Sequence, residues 1–177
     1  MIELKKADQK LYLSVKSELE SLYLDTFTRG ISAQVISPTE AETYLKNLFS
    51  QGYGIFGFSN GKLVAALIMT PLNHDKECPQ IIKQNFKESE SEYIAEVLVD
   101  ENYRGRGLGK ALMNAIETYL DKTTRHVFLR VWDKNEAAVR LYENSGFVTC
   151  GHLEQEKTRP NSHEKFLMHK HYMVKTY

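Results

Sequence analysis

The pattern of hydrophobic and polar positions switches repeatedly along this chain between the period of a strand and the period of a helix. The opening residues MIELKKA alternate as in a strand, and the apolar positions that follow recur at helical spacing. A second helix is predicted in SPTEAETYLKNLFSQG, where Ser37 is the expected N-cap, Pro38 occupies the first turn and Glu40 completes a capping box. A hairpin is predicted next, in YGIFGFSNGKLVAALIM, because Asn60-Gly61 readily adopts the positive φ angles of a two-residue turn.

A polar and charged stretch, residues 73–91, interrupts this alternation, and we predict a long loop or an insertion there with one short helix near Ile81 to Phe86. The apolar strand YIAEVLV follows it. After a glycine-rich turn the pattern predicts a helix, the strand VFLRVW, the helix NEAAVRLYENSG ending at Gly146, and two final strands. Strands that mostly pair as hairpins, with helices between them, predict a mixed α/β sheet in a single domain covering residues 1–177.

Composition and charge limit the classes of function. The chain has 177 residues, the usual size of one domain, and its 23 Lys and Arg residues balance 23 Asp and Glu residues. A neutral chain argues against nucleic acid and membrane as partners, so any anion site must be local. The first residues lack an apolar run of signal-peptide length and no later segment is long enough to span a bilayer. With two widely spaced cysteines, Cys78 and Cys150, expected as free thiols, a cytoplasmic protein is predicted.

A cluster of glycines and cations, YRGRGLGKAL, begins at Tyr103, where a strand passes into a helix. The first N–H groups of a helix have no helical partner and the helix dipole is positive there, so this order of elements builds an anion site. Glycines let a phosphate approach those N–H groups, and Arg104, Arg106 and Lys110 can add charge. The alternative is a tight turn whose basic residues face water, but three glycines beside three cations favour the anion site.

Known phosphate fingerprints narrow the identity of the anion. The ATPase P-loop fails because the glycines are too close together and Ala111 stands where the magnesium-binding hydroxyl belongs. The dinucleotide fingerprint fails at Lys110, which occupies the place of its third glycine. The pattern Arg104-x-x-Gly107-x-Gly109 instead resembles the coenzyme A loop of the GNAT N-acetyltransferase superfamily.

The resemblance extends to a second motif beyond the loop, and the clear match runs from about Tyr93 to Phe147. RVWDKNEAAVRLYENSGF has Asn135 and Tyr142 where the family carries an Asn early and a Tyr late in its second helix, followed by the Gly-Phe exit at Gly146. The resemblance implies the family fold, a mixed and mostly antiparallel sheet of about six to seven strands flanked by about four helices. It also implies a V-shaped splay between the fourth and fifth strands.

The resemblance further implies acetyl-CoA as cosubstrate and no metal. In the family the strand before the loop separates from its neighbour, and the pantetheine arm of the cofactor lies in the gap. The resemblance therefore implies that the backbone of Val97, Leu98 and Val99 contacts this arm. The pyrophosphate is assigned to the loop residues Arg104, Gly105, Arg106, Gly107, Leu108, Gly109 and Lys110. Asn135 and Tyr142 are also implied to contact the cofactor, although Asn135 is equally well placed to be simply an N-cap.

The reaction implied is direct transfer of the acetyl group to a primary amine of a small molecule, an amino acid or a peptide. An amine is mostly protonated at neutral pH and must lose that proton before it attacks, and the leaving thiolate needs a proton. Tyr142 is the implied general acid, with a core aromatic as the alternative. Glu96 is the obvious carboxylate for a base, but strand alternation puts it opposite Tyr93 and Ala95, where the family often carries its base, unless a bulge changes the register. A water chain is the alternative base.

The acceptor is expected to meet two polar stretches, TFTRGIS after the first helix and EKTRPNSHEK between the last strands. The candidates within them are Phe27, Arg29, Arg159 and His163. The cations would suit an acceptor with a carboxylate or a phosphate, or equally face water. His169 and His171 share a strand face, but no third metal ligand is evident, so half-exposed histidines are the simpler interpretation.

Other classes of function stay open beside the enzyme. A coenzyme A-binding sensor would use the same loop but would not need a proton donor at Tyr142, and an RNA-modifying or RNA-binding factor finds no support in a neutral chain. A monomer or a homodimer is expected. Residues 73–91 are expected to cover the acceptor site, form a dimer contact or remain a mobile loop.

Overall fold

A seven-stranded mixed sheet forms the centre of the protein, in a computed structural model that describes residues 2–30 and 32–177. The strands are β1 (Ile2–Ala7), β2 (Tyr53–Ser59), β3 (Lys62–Pro71), β4 (Ser91–Val99), β5 (His126–Trp132), β6 (Val148–Thr158) and β7 (Lys165–Thr176). Their order across the sheet is β1-β2-β3-β4-β5-β7-β6, and every neighbouring pair is antiparallel except β4 and β5. This arrangement confirms the predicted fold class.

Six α-helices flank the sheet in the described part of the chain. They are α1 (Gln9–Ser14), α2 (Lys16–Phe27), α3 (Pro38–Gln51), α4 (Gln80–Asn85), α5 (Leu108–Tyr119) and α6 (Glu136–Asn144). Two of them, α1 and α4, have only six residues each, and the other four correspond to the number predicted. The first helical stretch of the sequence is divided between α1 and α2 at Val15, whose φ of −120° and ψ of 18° lie outside the helical range.

Local sequence signals produce the expected local structures. Ser37 and Glu40 form the predicted capping box at the start of α3, since each side chain accepts a hydrogen bond from the other residue's backbone N–H. Asn60 and Gly61 have φ angles of 48° and 79°, as a tight turn between β2 and β3 requires. These signals fix where α3 begins and how β2 and β3 pair.

The sheet opens between β4 and β5, and this opening positions the site described below. The two strands pair only where Ser91–Tyr93 lie beside His126–Phe128. Beyond Tyr93, β4 continues alongside β3 alone, and the remainder of β5 pairs with β7 alone. The backbone of residues 94–99 therefore has a partner strand on only one side, which confirms the predicted splay.

Hydrophobic clusters cover both faces of the sheet. On one face α5 packs Leu112 and Ile116, both fully buried, against strand residues that include Leu67 and Met69. On the other face α1, α2 and α3 bury their apolar sides against β2, β3 and Leu98 of β4. Two helices of the second face, α2 and α3, contribute side chains to the cavity at the open part of the splay.

Residues 73–91 pack against the sheet. They contain α4 and 3₁₀ turns, and Cys78 and Ile82 are buried in a cluster with aromatic residues of β4, β5 and β7. Asp75 is buried, accepts a hydrogen bond from the Tyr172 hydroxyl at 2.9 Å and pairs with Arg130 at 3.3 Å. A buried carboxylate held by a cation and a hydroxyl anchors this segment to β5 and β7.

Among the described residues no helix is long and apolar enough to cross a membrane. Cys78 and Cys150 are both free thiols.

Candidate active site

A cavity of about 430 Å³ lies in the open part of the splay. Side chains from both of its arms and from β6 and β7 line it, among them Tyr44, Glu96, Trp132, Tyr142 and Lys170. This volume is in the usual range for a small-molecule site.

A larger cavity of about 1020 Å³ lies at the other end of the strands, where β4 and β5 begin. Its Glu92 already accepts hydrogen bonds from Tyr53 at 2.9 Å and Thr124 at 2.6 Å. None of the residues predicted for the site lines this second cavity. The predicted site residues that line a cavity therefore do so at the splay or beside it.

A β-bulge in β4 orients Glu96 into the cavity. Opposite β3, Ile68 pairs with Glu96 but Met69 pairs with Ile94, so Ala95 is an extra residue on β4. The bulge reverses the alternation of side chains, and Glu96 points toward the face covered by α3, as Tyr93 does. The sequence predicted the opposite face unless such a bulge was present, and the structure contains the bulge.

The surroundings of Glu96 favour its neutral form. Burial raises the pKa of its carboxyl from 4.5 to about 7. The raised value persists although the Tyr44 hydroxyl donates a hydrogen bond to Oε1 at 2.7 Å and Lys170, Arg130 and Lys157 lie near enough to lower it. A carboxyl that titrates near neutral pH can accept a proton from a bound ammonium and release it to water.

Tyr142 of α6 reaches the same cavity from the other side. Its ring is buried against Phe147, with the centroids 6.3 Å apart, and it lines the cavity together with Glu96. Burial, followed by the negative charge of Glu96, raises the pKa of Tyr142, so its hydroxyl remains protonated. Among residues 2–30 and 32–177 the structure shows no hydrogen-bond partner for this hydroxyl, which leaves its proton available to a bound group.

The glycine-rich loop has the backbone geometry of an anion site. Gly105 and Gly107 have φ angles of +71° and +79°, and a Cβ at either would meet open space. Packing therefore does not require either glycine, whereas the left-handed backbone does. Gly107 is the N-cap of α5 and offers no side chain to the first N–H groups of that helix, which are left open for a ligand.

Gly109 meets a different requirement from the other two glycines. A Cβ at this position would lie 2.9 Å from Cδ2 of Leu141, so its absence allows α6 to pack closely on α5. Leu108 beside it is buried in the core with 7% of its surface exposed, and only its backbone is available to a ligand. The predicted loop thus combines anion-binding geometry with helix packing.

The cations of the loop lie at the surface with partners nearby. Nε of Arg104 donates a hydrogen bond to the carbonyl of Val99 at 3.1 Å, which ties the loop to the end of β4. The guanidinium of Arg106 lies over the ring of Tyr103, 5.4 Å from its centroid. Lys110 is exposed on the first turn of α5. Both arginines and the lysine remain beside the open N–H groups.

The other predicted cofactor contacts divide between backbone and side chain. Val97 lines the cavity, Val99 ends β4 beside the loop, and Leu98 is fully buried beneath α2 and α3, which leaves only its backbone. Asn135 is the N-cap of α6, where its side-chain oxygen accepts a hydrogen bond from Ala138 N at 3.3 Å, and it also lines the cavity. Both interpretations of Asn135 are therefore geometrically compatible.

Of the predicted acceptor residues, only Phe27 lines the main cavity. Arg29 faces a neighbouring cavity beside Arg104 and pairs with Asp25 at 2.9 Å, while Ile31 of the same stretch lies outside the described residues. Arg159 stacks on Phe166 at 4.2 Å. His163 lines a third cavity beside Lys157.

None of the cations that do line the main cavity was named as a candidate from the sequence, although Lys157 lies in the stretch EKTRPNSHEK. They are Arg130 of β5, Lys157 of β6 and Lys170 of β7. A charged residue within a strand as apolar as VFLRVW is the signal that could have found Arg130. Tyr44 was predicted only as part of the apolar face of α3, and its hydrogen bond to Glu96 depends on the bulge.

The histidines of β7 do not form a metal site within the described part of the chain. His171 lies beside His152, with their Nδ1 atoms 3.4 Å apart, and His169 pairs with Glu154 at 2.9 Å. No group of three or more suitable side chains is arranged around one point among residues 2–30 and 32–177.

Comparison with known proteins identifies the family. The sequence model of the acetyltransferase (GNAT) family matches residues 16–147. A spermine/spermidine N(1)-acetyltransferase of Bacillus subtilis is 31% identical over 64 residues, which cover 35% of this chain and 42% of that protein. The chain thus matches less than half the length of this curated relative.

Solved structures share the fold along almost the whole chain. A ribosomal-protein-alanine N-acetyltransferase from Brucella melitensis superposes with a TM-score of 0.68 and 18% identity, covering 100% of this chain and 99% of the other. The yncA protein from Salmonella typhimurium, solved with its cofactor acetyl-CoA, gives 0.71 and 12% identity, covering 99% and 94%. Because the family model matches most of the chain and the fold agrees, this protein belongs to the acetyltransferase (GNAT) family.

Proposed function

We propose that this protein is a single-domain N-acetyltransferase that moves the acetyl group of acetyl-CoA directly to a primary amine. The observation that carries the proposal is the meeting of Glu96 and Tyr142 in one cavity of the splay. One group titrates near neutral pH and the other remains protonated, as a base and an acid for amine acetylation must. Named relatives acetylate amines, spermine and spermidine in one case and a protein alanine in another.

The residues present fit coenzyme A at the glycine-rich loop. The open N–H groups at the start of α5, the left-handed Gly105 and Gly107 and the flanking cations offer a pyrophosphate both hydrogen bonds and charge. The unpaired edge of β4, residues 94–99, offers backbone groups to an extended arm. When bound, acetyl-CoA supplies the acetyl group as a thioester.

Proton movements in the cavity then follow from the chain's own groups. The carboxylate of Glu96 accepts one proton of the acceptor ammonium and passes it to water, which frees the nitrogen lone pair for attack. The same carboxylate then accepts the second proton, which the nitrogen loses as the amide forms. The hydroxyl of Tyr142 donates its proton to the leaving group as the bond to the acetyl carbon breaks, and it regains one from solvent. The hydrogen bond from Tyr44 holds Oε1 of Glu96 in place. The aromatic rings of Tyr23, Phe27 and Tyr44 limit water on that side.

A screen of amines with acetyl-CoA, following release of free thiol, tests the proposal. We expect amine-dependent release that exceeds the background hydrolysis of the thioester. A non-catalytic coenzyme A-binding sensor is the alternative, and it would bind acetyl-CoA without release for any amine. Binding of acetyl-CoA in calorimetry without thiol release for any amine would overturn the catalytic assignment, but the assignment of the coenzyme A site would stand.

A further inference from the structure

Three cations line the main cavity, and one of them is already paired. Nη1 of Arg130 lies 3.3 Å from Asp75 and 2.6 Å from Glu77. The amide of Gln155 also donates to the carboxylate of Glu77. Arg130 and its two carboxylates therefore form a closed group at the wall of the cavity, held by residues 73–91.

Lys157 and Lys170 lack such partners. Both lie on the hairpin of β6 and β7, both are partly buried, and both line the cavity. Within the described residues neither ammonium forms a hydrogen bond or a salt bridge. Glu96 is the remaining carboxylate of the cavity, and its Oε1 accepts a hydrogen bond from Tyr44.

Two partly buried ammonium groups without a partner are costly to the protein. This cost lowers the pKa of both lysines. The pKa of Lys170 falls to about 8, mainly because of burial and secondly because of the positive charges of Arg130 and Lys157. Burial and Arg130 lower the pKa of Lys157 as well. An anion bound in the cavity within reach of these lysines would offset this cost, so the lining favours a ligand that carries one.

We propose that the acceptor is a small amine that also carries a carboxylate, bound with its carboxylate at Lys157 and Lys170 and its amine toward Glu96. The assignment of this cavity to the acceptor rests on the proposed function. One negative charge fits better than two, because three cations (Arg130, Lys157 and Lys170) and two carboxylates (Glu77 and Glu96) line the cavity, which leaves about one positive charge to balance. A carboxylate is therefore favoured over a phosphate dianion.

The same charges disfavour a polyamine. Spermidine would bring further ammonium groups into a cavity that Arg130, Lys157 and Lys170 already line, and like charges brought together without water repel strongly. The named Bacillus subtilis relative acts on spermine and spermidine. This chain should therefore differ from it in substrate.

Calorimetric titration of the protein saturated with coenzyme A, which allows no turnover, tests the inference. The probes are α- and ω-amino acids, each measured beside the amine that lacks its carboxylate, together with spermidine and aminoethyl phosphate. We expect at least one amino acid to bind about tenfold or more tightly than its matched amine, since charge-assisted hydrogen bonds are among the stronger polar contacts. Spermidine should bind weakly or not at all.

Substitution of each lysine tests whether the two lysines cause the preference for a carboxylate. Lys157→Met and Lys170→Met keep the length of the side chain and remove its charge, and each should lower amino-acid affinity about tenfold or more while leaving the amines unchanged. Lys10→Met on α1, exposed and outside the cavity, is the control and should bind as the wild type does. Unchanged or raised melting temperatures of the two cavity variants would show that they fold.

The inference fails if the matched amines, spermidine or aminoethyl phosphate bind at least as well as every amino acid. It also fails if a preference for carboxylates survives in both lysine variants. Its failure is distinct from that of the proposed function. Acetylation of amines without carboxylates would support the function and overturn the inference, whereas lysine-dependent binding without any thiol release would do the reverse.

Discussion

Replacing Glu96 with Gln removes the carboxylate whose pKa is raised to about 7 and preserves its size and an oxygen for the hydrogen bond from Tyr44. The substitution separates two consequences of the same burial. Burial gives the carboxyl a pKa suited to a general base, and it also makes the ionised form unfavourable in the folded protein. We therefore expect the variant to be less active and more stable than the wild type at neutral pH.

The magnitude follows from the shift. One pKa unit corresponds to about 1.4 kcal/mol, so a rise from 4.5 to about 7 corresponds to roughly 3 kcal/mol. The pKa is higher in the folded state, so the wild type has no penalty below about pH 4.5 and loses stability as the pH rises through about 7. Between about pH 5 and pH 8 the wild type should lose about 2–3 kcal/mol relative to Glu96→Gln.

Urea denaturation of both proteins at several pH values measures this difference. The contributions of the other titrating groups are the same in both proteins and therefore cancel when the two free energies are subtracted. Glu143→Gln on α6, exposed and without a salt bridge among the described residues, is the matched control for the change from Glu to Gln itself. If the difference in free energy of unfolding between the wild type and Glu96→Gln does not change with pH across this range, the pKa of Glu96 is not raised. The case for Glu96 as the base would then fall with it.

Further predictions concern the other parts of the site. Tyr142→Phe should keep its affinity for coenzyme A and lose about 10²-fold in kcat, toward the low end for general acids, and full activity in steady-state kinetics would remove the proton-donor role. Gly107 and Gly61 have the same φ of +79° and open surroundings, so Gly107→Ala and Gly61→Ala should each lose about 1 kcal/mol of stability. Only Gly107→Ala should weaken coenzyme A binding, by about tenfold in calorimetry. Equal affinities of the two variants would show that the loop is a simple turn and not an anion site. Asp75→Asn breaks a buried pair with Arg130 and should lower the free energy of unfolding by about 2–3 kcal/mol, and a change below about 0.5 kcal/mol in urea denaturation would contradict the anchoring role of residues 73–91.

Features set by neighbouring residues were predictable from the sequence. The capping box of Ser37 and the turn at Asn60-Gly61 depend on residues within three positions of each other, and both form as predicted. The glycine-rich loop is local in the same sense, since its left-handed φ angles follow from Gly105 and Gly107. The order of elements followed from the pattern of hydrophobic and polar positions, and the splay followed from the family resemblance.

Features that depend on pairing between distant strands were not predictable. Whether Glu96 faces the cavity depends on the extra residue Ala95, and the position of that bulge is set by pairing with β3. The strand sequence alone predicts a regular strand, in which Glu96 points away from the side of Tyr93 and Ala95. Lys157 and Lys170 belong to strands far along the chain from Glu96, and only the folded sheet brings them to the same cavity. Lys157 lies in the stretch EKTRPNSHEK, which was expected to meet the acceptor, but the cations named as candidates, Arg29 and Arg159, do not line the cavity.

The central claim is that the chain transfers acetyl groups from acetyl-CoA to the nitrogen of a primary amine. Incubating the protein with isotopically labelled acetyl-CoA and the panel of amino acids and amines, followed by mass spectrometry of the small molecules, measures this transfer directly. We predict that the label appears as an N-acetyl group on at least one amine, and that Glu96→Gln and Tyr142→Phe reduce its rate. Binding of acetyl-CoA with no labelled amine from any member of the panel would contradict the claim.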